Sequence, residues 1–462
     1  MTTPLEDALD WGTAVDTTPD NIIHYYFYGS GEATPVGISA GWTNYEKGQV
    51  RAAFDTYEAF LDITYLEVED VGDADFMLAT YVSGSSVLGS MAPPGYPNEG
   101  LGKFNTNGTG WGNGLEQGGF GFVTIIHELG HGHGLAHPHD TGGTSTSFPG
   151  VSSAFNDYGQ HDLNQGVFTT MTYNDGWQTN PDGESPSNEY GYQGTPMAID
   201  IAVLQAKYGA NMDYKTGDNT YKLPKSNGPG TFYSAIWDAG GEDTISHSGG
   251  RAAVIDLRAA TLEVEPGGGG FISYADGVFG GFTIANGVII ENAIGGDKSD
   301  FLSGNSVDNT LNGGRGKDEL KGRNGNDTLK GGKGKDELKG GAKSDWLNGG
   351  KGDDVLNGGG GADHYAFLNS PGKGVDTIKT FETDEQILLD ASAFGLPDDG
   401  VPLDGSLFRK GANAKTADHR IIHNSDNGKL FYDSDGSGGG GKILFAKLDP
   451  GILLSSDDFF VV

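Results

Sequence analysis

The chain contains no cysteine. Its absence excludes disulfides, cysteine-ligated zinc and any latency device in which a thiol occupies a metal's open position. It does not fix the compartment, because metal ions can staple a fold as disulfides do. Cationic side chains are scarce too: 29 Lys and Arg stand against 63 Asp and Glu, for a net charge of −34. Nucleic acid and anionic membrane are therefore poor partners, and cations good ones. No stretch reaches the ~18 apolar residues of a membrane span. The first twenty residues are polar and acidic, without the basic start and apolar centre of a secretory signal, so if the protein is secreted its address lies elsewhere.

What the chain has in excess is glycine, 80 of 462 residues, with most of the surplus beyond residue 238. A length of this order predicts two or three domains. Residues 1–20 read as a lead or the remnant of a pro-segment. Ile22 to Tyr28 reads as a strand, Asn44 to Leu61 as a helix, and Ile63 to Val68 and Ala74 to Tyr81 as two further strands. Ser86 to Ala92 reads as a short strand, Pro97 to Gly119 as a loop, and Pro196 to Gly209 as a helix with a glycine stop. From about Gly217 the character changes, with Ile255 to Leu257 and Val288 to Ile290 strand-like.

The most informative stretch runs from His127 to His137 and holds the complete pattern HExxHxxGxxH. His127 and His131, four apart on a helix, project from one face and can reach one metal ion. Gly134, free to take positive φ, can end the helix and return the chain so that His137 becomes a third ligand. Three neutral imidazoles leave a fourth tetrahedral position open, as catalytic rather than structural zinc requires. Glu128 lies beside the first histidine, close enough to take the proton of a water at that position. His133 and His139 fall at no ligand position of the pattern and are expected behind the ligands or in solvent.

From Gly295 through Ala366 the chain repeats every nine residues, in eight units. The sixth position is acidic at Asp300, Asp318, Asp327, Asp336, Asp345, Asp354 and Asp363, with Asn309 the one departure. The eighth is apolar: Leu302, Leu311, Leu320, Leu329, Leu338, Leu347, Leu356 and Tyr365. Each unit is then a glycine turn and a very short strand, and two units make one coil of a parallel β-roll with a leucine core. The aspartates, with backbone carbonyls at Gly295, Gly313, Gly331, Gly340 and Gly349, offer the hard oxygen donors that Ca²⁺ prefers. Without calcium the facing carboxylates repel, and the leucines alone cannot offset the entropy of so glycine-rich a segment, so folding should be coupled to the ion. The last six residues put two acids before an apolar end.

Four features together resemble the serralysin-like metzincins, secreted zinc endopeptidases of Gram-negative bacteria: HExxHxxGxxH at 127–137, Met171 with Tyr173, the PMAIDIAVLQAKYGAN passage at 196–211, and the nonapeptide array with its trailing segment. The resemblance implies an α+β metzincin-type catalytic domain over 21–216, followed by an all-β RTX β-roll and C-terminal secretion domain over 217–462. It implies one catalytic zinc, several structural calcium ions, Met171 as a hydrophobic floor beneath the zinc, and Tyr173 as the donor to the oxyanion. By the same analogy Ser86, Val87, Leu88, Gly89, Ser90, Met91 and Ala92 offer an edge strand to an extended substrate. The implied partners are protein or peptide substrates and a type I (ABC-type) secretion apparatus that reads the C-terminus, and the resemblance leaves room for a periplasmic proteinaceous inhibitor. The implied product is an extracellular monomer, a broad-specificity endopeptidase working at neutral to alkaline pH. Between His137 and Met171 the chain departs from the pattern, with Pro138-His139-Asp140 and a segment to about residue 167 that has no close counterpart. A calcium-loaded adhesin with a relic zinc module and a carbohydrate-active enzyme with a similar tail stand as alternatives.

Overall fold

The computed structural model describes residues 2–397 and 400–462. They divide into two compact units, one made of Met1–Asn219, Leu223–Gly241 and Ala259–Ile289, the other of Thr220–Lys222, Glu242–Arg258 and Ile290–Val462. Rather than dividing once near residue 217, the chain passes between the units several times before the repeats begin.

The first unit starts with a helix, α1 (Pro4–Leu9), whose Leu5, Ala8 and Leu9 are buried. This stretch, which composition reads as a lead, is ordered by a capping box between Thr3 and Glu6 with Pro4 in the first turn. The central sheet comprises β1 (Ile22–Phe27), β4 (Thr64–Glu67), β5 (Phe76–Tyr81), β6 (Gly89–Met91) and β7 (Leu101–Asn105), and a two-residue hairpin, β2 (Ala33–Thr34) and β3 (Gly37–Ile38), stands apart from it. Its order is β4-β1-β5-β7-β6; the first four strands are parallel, and β6 is an antiparallel edge. β7 falls inside the stretch expected to be loop. α2 (Asn44–Glu58), closed by a Thr43–Glu46 capping box, buries Val50, Ala53, Phe54 and Tyr57. α3 (Phe120–Gly132) packs on α2, β6 and β7 and is buried from Gly121 onward, which explains its near-total lack of charge. α4 (Ala198–Tyr208) ends at Gly209.

In the second unit, strands of alternate repeats stack in two separate parallel ladders. Each residue pairs with the one eighteen positions on, as in Leu311↔Leu329↔Leu347 and Leu320↔Leu338↔Leu356. One coil is thus two nonapeptides. Every eighth-position side chain from Leu302 to Tyr365 is 0% exposed. The stretch Val288–Ile290 is not a strand; pairing begins instead at Asn292–Ile294. At the far end Phe459–Val461 pairs with Gln386–Leu389, so the acid-then-apolar ending is the last strand of its ladder.

Candidate metal centre, cleft and aspartate rows

α3 carries His127 and His131 one turn apart, and Gly134, at φ +91°, turns the chain back toward them. His137 Nε2 thereby lies 3.2 Å from His127 Nε2 and 2.9 Å from His131 Nε2. The other nitrogen of each ring has a partner of its own: Nδ1 of His127 donates to the Thr170 carbonyl at 2.7 Å, that of His131 to the Leu135 carbonyl at 2.8 Å, and that of His137 to the Asp140 carboxylate at 2.7 Å. With the protons on Nδ1, three Nε2 lone pairs converge on one point and repel unless a cation lies among them. Burial holds His127 neutral, and burial with its neighbour His137 pushes His131 down to about 3. Three neutral, oriented imidazoles could hold zinc with one position left open.

The support beneath is polar and specific. Met171 is wholly buried, and its sulfur lies so close to α3 that a Cβ at Gly130 would meet it at 2.6 Å. Asp200, in the first turn of α4, accepts hydrogen bonds from Thr169 Oγ1, from both Thr170 N and Oγ1, and from Met197 N at 2.6–2.8 Å. Thr170 is the residue whose carbonyl orients His127. Asp200→Ala is therefore expected to leave several buried donors unsatisfied and to cost about 3 kcal/mol or more, read by denaturant unfolding in saturating calcium, together with weaker zinc retention against a chelator.

These histidines sit in a cleft of about 780 Å³. Glu128 lies on its wall, buried, with its carboxyl pushed up to about 8 chiefly by burial; a backbone hydrogen bond from Met91 and the charge of Lys103 act the other way. Its carboxylate abuts β6, where a Cβ at Gly89 would meet Glu128 Oε1 at 2.8 Å, so glycine there is a condition for the acid's position. Ser86 to Met91 all line the cleft, although only Gly89–Met91 form strand; Ala92 does not line it and instead donates its backbone N–H to Leu101. Tyr173 stands opposite, its ring 4.8 Å from that of His137 and 5.7 Å from that of His127. Burial, with Glu128, Asp140 and Asp175 nearby, raises the phenol to about 12, so it is a hydrogen-bond donor at any ordinary pH.

His133 takes neither place expected of it. It is 0% exposed, donates to the Leu129 carbonyl, meets Tyr65 Oη at 2.5 Å and stacks on Tyr57 at 4.5 Å. His139 stacks on His137 at 4.9 Å and lies 4.8 Å from the Tyr173 ring. Sequence reasoning assigned no part to Asp140, Thr170, Leu135 or Asp200. Of these only Asp140, an acid three residues after a ligand histidine, carried a usable signal.

In the roll the sixth-position aspartates form two rows. From Asp318 on, one oxygen of each accepts the backbone N–H of the sixth-position residue one coil earlier, as in Asp300 N to Asp318 Oδ1 and Asp327 N to Asp345 Oδ1, both 2.8 Å, while Asp327 accepts from Asn309 N. The second oxygen of Asp318, Asp327, Asp336 and Asp345 is buried and accepts no hydrogen bond among the described residues. Glycine carbonyls share that space. A Cβ at Gly331 would lie 2.6 Å from Asp336 Oδ2 and 2.7 Å from the Gly349 carbonyl, and the carbonyls of Gly313 and Gly340 stand likewise against Gly295 and Gly322. Asn309 fills its own position, its amide donating to the Glu291 carbonyl and to Asn305 Oδ1. Lone anionic oxygens grouped with carbonyls are a donor set suited to Ca²⁺.

Burial, and for some of them neighbouring carboxylates, push Asp318 and Asp345 up to about 7 and Asp327 and Asp336 up to about 6. A carboxyl raised on folding binds more protons in the folded state, so calcium-free stability is highest below the unfolded value of about 3.9 and falls as pH rises through about 4 to 7. In excess chelator, circular dichroism of the full chain should retain β-signal near pH ~4 and lose it by about pH 8. Added calcium should remove that dependence by replacing the protons.

The model of the RTX calcium-binding nonapeptide repeat matches residues 294–329 and 330–365, and this array is accordingly a calcium-binding one. Among known proteins the chain is 34% identical over 293 residues to a serralysin of Proteus mirabilis, covering 58% of this chain and 55% of that protein. It is 36% identical over 224 residues to serralysin C of Dickeya chrysanthemi, covering 46% and 41%. To the metalloprotease AprA of Pseudomonas entomophila it is 30% identical over 311 residues, covering 62% and 57%. The matched stretch thus spans about half the length of these relatives. Over that length the chain is serralysin-like, a helix-poor first part followed by a β-roll of parallel strands.

Proposed function

We propose that this chain is a zinc endopeptidase stabilised by calcium, with His127, His131 and His137 holding the metal. The convergence of three Nε2 lone pairs whose Nδ1 protons are otherwise engaged carries this reading, and the likeness to serralysins and a metalloprotease supports it. A zinc ion held there supplies Lewis acidity, lowering the pKa of a water and polarising a carbonyl. Glu128 takes the proton of the attacking water and hands it to the leaving amine, from a wall where burial raises its basicity. Tyr173 donates to the oxyanion from across the cleft, and Met171 holds the ligand helix from below. The open edge of β6 pairs with an extended substrate backbone, adding a strand to the sheet.

The calcium-bearing roll suits a protein that acts outside the cell, where the ion is plentiful, after export through a type I (ABC-type) apparatus in the unfolded state. No described helix is long and apolar enough to cross a membrane. Hydrolysis of casein by the zinc-loaded protein tests the proposal, alongside metal analysis expected to find about one zinc and several calcium ions. Zinc bound with no hydrolysis of any protein would overturn it in favour of an adhesive role.

A further inference from the structure

Beyond Tyr173 the cleft continues into a region that the chemistry above does not use. Its walls are aromatic: Trp177 packs edge-on against Tyr233 at 6.1 Å, and Phe120 lies 5.2 Å from Tyr192. Among these rings sits the partly buried carboxylate of Asp175. Gln193 fixes it, Nε2 donating to Asp175 Oδ1 at 2.8 Å while Gln193 Oε1 accepts the N–H of Gly176, also at 2.8 Å. Asp175 Oδ2 receives no hydrogen bond among the described residues. Among the described residues no lysine or arginine lines the cleft, whereas Glu184, close enough to act on Tyr192 together with Asp175, adds a second negative charge.

A carboxylate partly buried among aromatic side chains, held by a single amide and lined by no cation among the described residues, is placed to receive the counter-charge of a ligand. The surrounding rings are the surface over which an ammonium or guanidinium is attracted. We propose that this end of the cleft is a subsite for a lysine or arginine side chain of the peptide substrate, with Asp175 as its counter-charge. The subsite deepens the endopeptidase reading and rests on it. Main-chain pairing along β6 would still accept many sequences, and Asp175 would choose among the bonds within them.

Mapping by mass spectrometry the bonds cut in denatured casein should find Lys and Arg enriched at one fixed position beside the scissile bond. For two peptides differing only by lysine or norleucine there, kcat/KM should favour lysine by about tenfold or more. Asp175→Asn, which preserves the Gln193 contact, should bring that ratio close to one. Acetylating the lysine should do the same with the unaltered protein, so the result does not depend on how a variant folds. Absence of enrichment, or a ratio unchanged by both Asp175→Asn and acetylation, would overturn the subsite. Should the zinc-loaded protein cut nothing, the endopeptidase reading fails, and the subsite is judged separately by calorimetric titration with the two peptides: lysine peptide binding more tightly than its acetylated form upholds it, and equal binding rejects it.

Discussion

Glu128→Gln is expected to lower peptide-bond hydrolysis by three to four orders of magnitude, at the upper end of the ~10²–10⁴ that a positioned general base contributes, while zinc content stays unchanged. The reasoning is geometric. Glu128 contributes nothing to the convergence of the three imidazoles, each of which is oriented by a different oxygen. Its carboxylate instead faces the cleft against Gly89, and glutamine keeps its size while losing the ability to accept a proton. Initial rates on casein and zinc analysis of the same preparation read both halves of the expectation. Equal activity in the two proteins would remove Glu128 from the mechanism; loss of zinc with loss of activity would make it a structural residue of the metal centre.

Removing calcium is expected to unfold the repeats outright. Each ion bound at about a hundredfold its Kd contributes ~2.7 kcal/mol to the folded state, so a handful of ions outweigh the ~5–15 kcal/mol that holds a typical domain together. On chelation the leucine core remains as a source of stability, but the carboxylates are then left to protons alone, and at neutral pH there are too few of these. Chelation at pH ~7.5 should therefore abolish the β-signal and the protease resistance of residues 295–366. Asp345→Ala should weaken the calcium response cooperatively, since the Asp345 carboxylate also accepts the N–H of Asp327 in the coil before it. A roll that keeps its circular dichroism in excess chelator at that pH would show that leucine packing alone suffices.

What could be read from sequence was whatever the chain repeats or spaces locally. His127, His131 and Gly134 lie within eight consecutive residues, and the aspartate-leucine register recurs at a fixed interval, so both survive without knowledge of the fold. What could not be read depends on where the folded backbone places its carbonyls. The oxygens that orient His127 and His131 belong to Thr170 and Leu135, and a carbonyl leaves no mark on residue type. Asp200 looks like an ordinary helix-starting acid until the turn at Thr169–Met171 is seen folded onto it. β7 was hidden because its sequence, LGKFN, has a glycine and lies among turn residues; it is held by pairing to β5 and β6 on either side. α1 did carry a signal, Thr3 and Glu6 flanking Pro4, which acidic composition outweighed. The boundary near residue 217 reflected a shift in composition, whereas chain packing returns residues 223–241 and 259–289 to the first unit.

The eighteen-residue pairing has a consequence for how such a segment changes over time. Because each rung reproduces the surroundings of the one before it, inserting or deleting a whole winding creates no new side-chain environment and alters only the length of the stack, by about 4.8 Å. Half a winding is different: every later residue would cross to the opposite ladder, and the neutral Asn309 would face a different row of acids. Growth of the array is thus quantised, free in steps of two nonapeptides and penalised in steps of one.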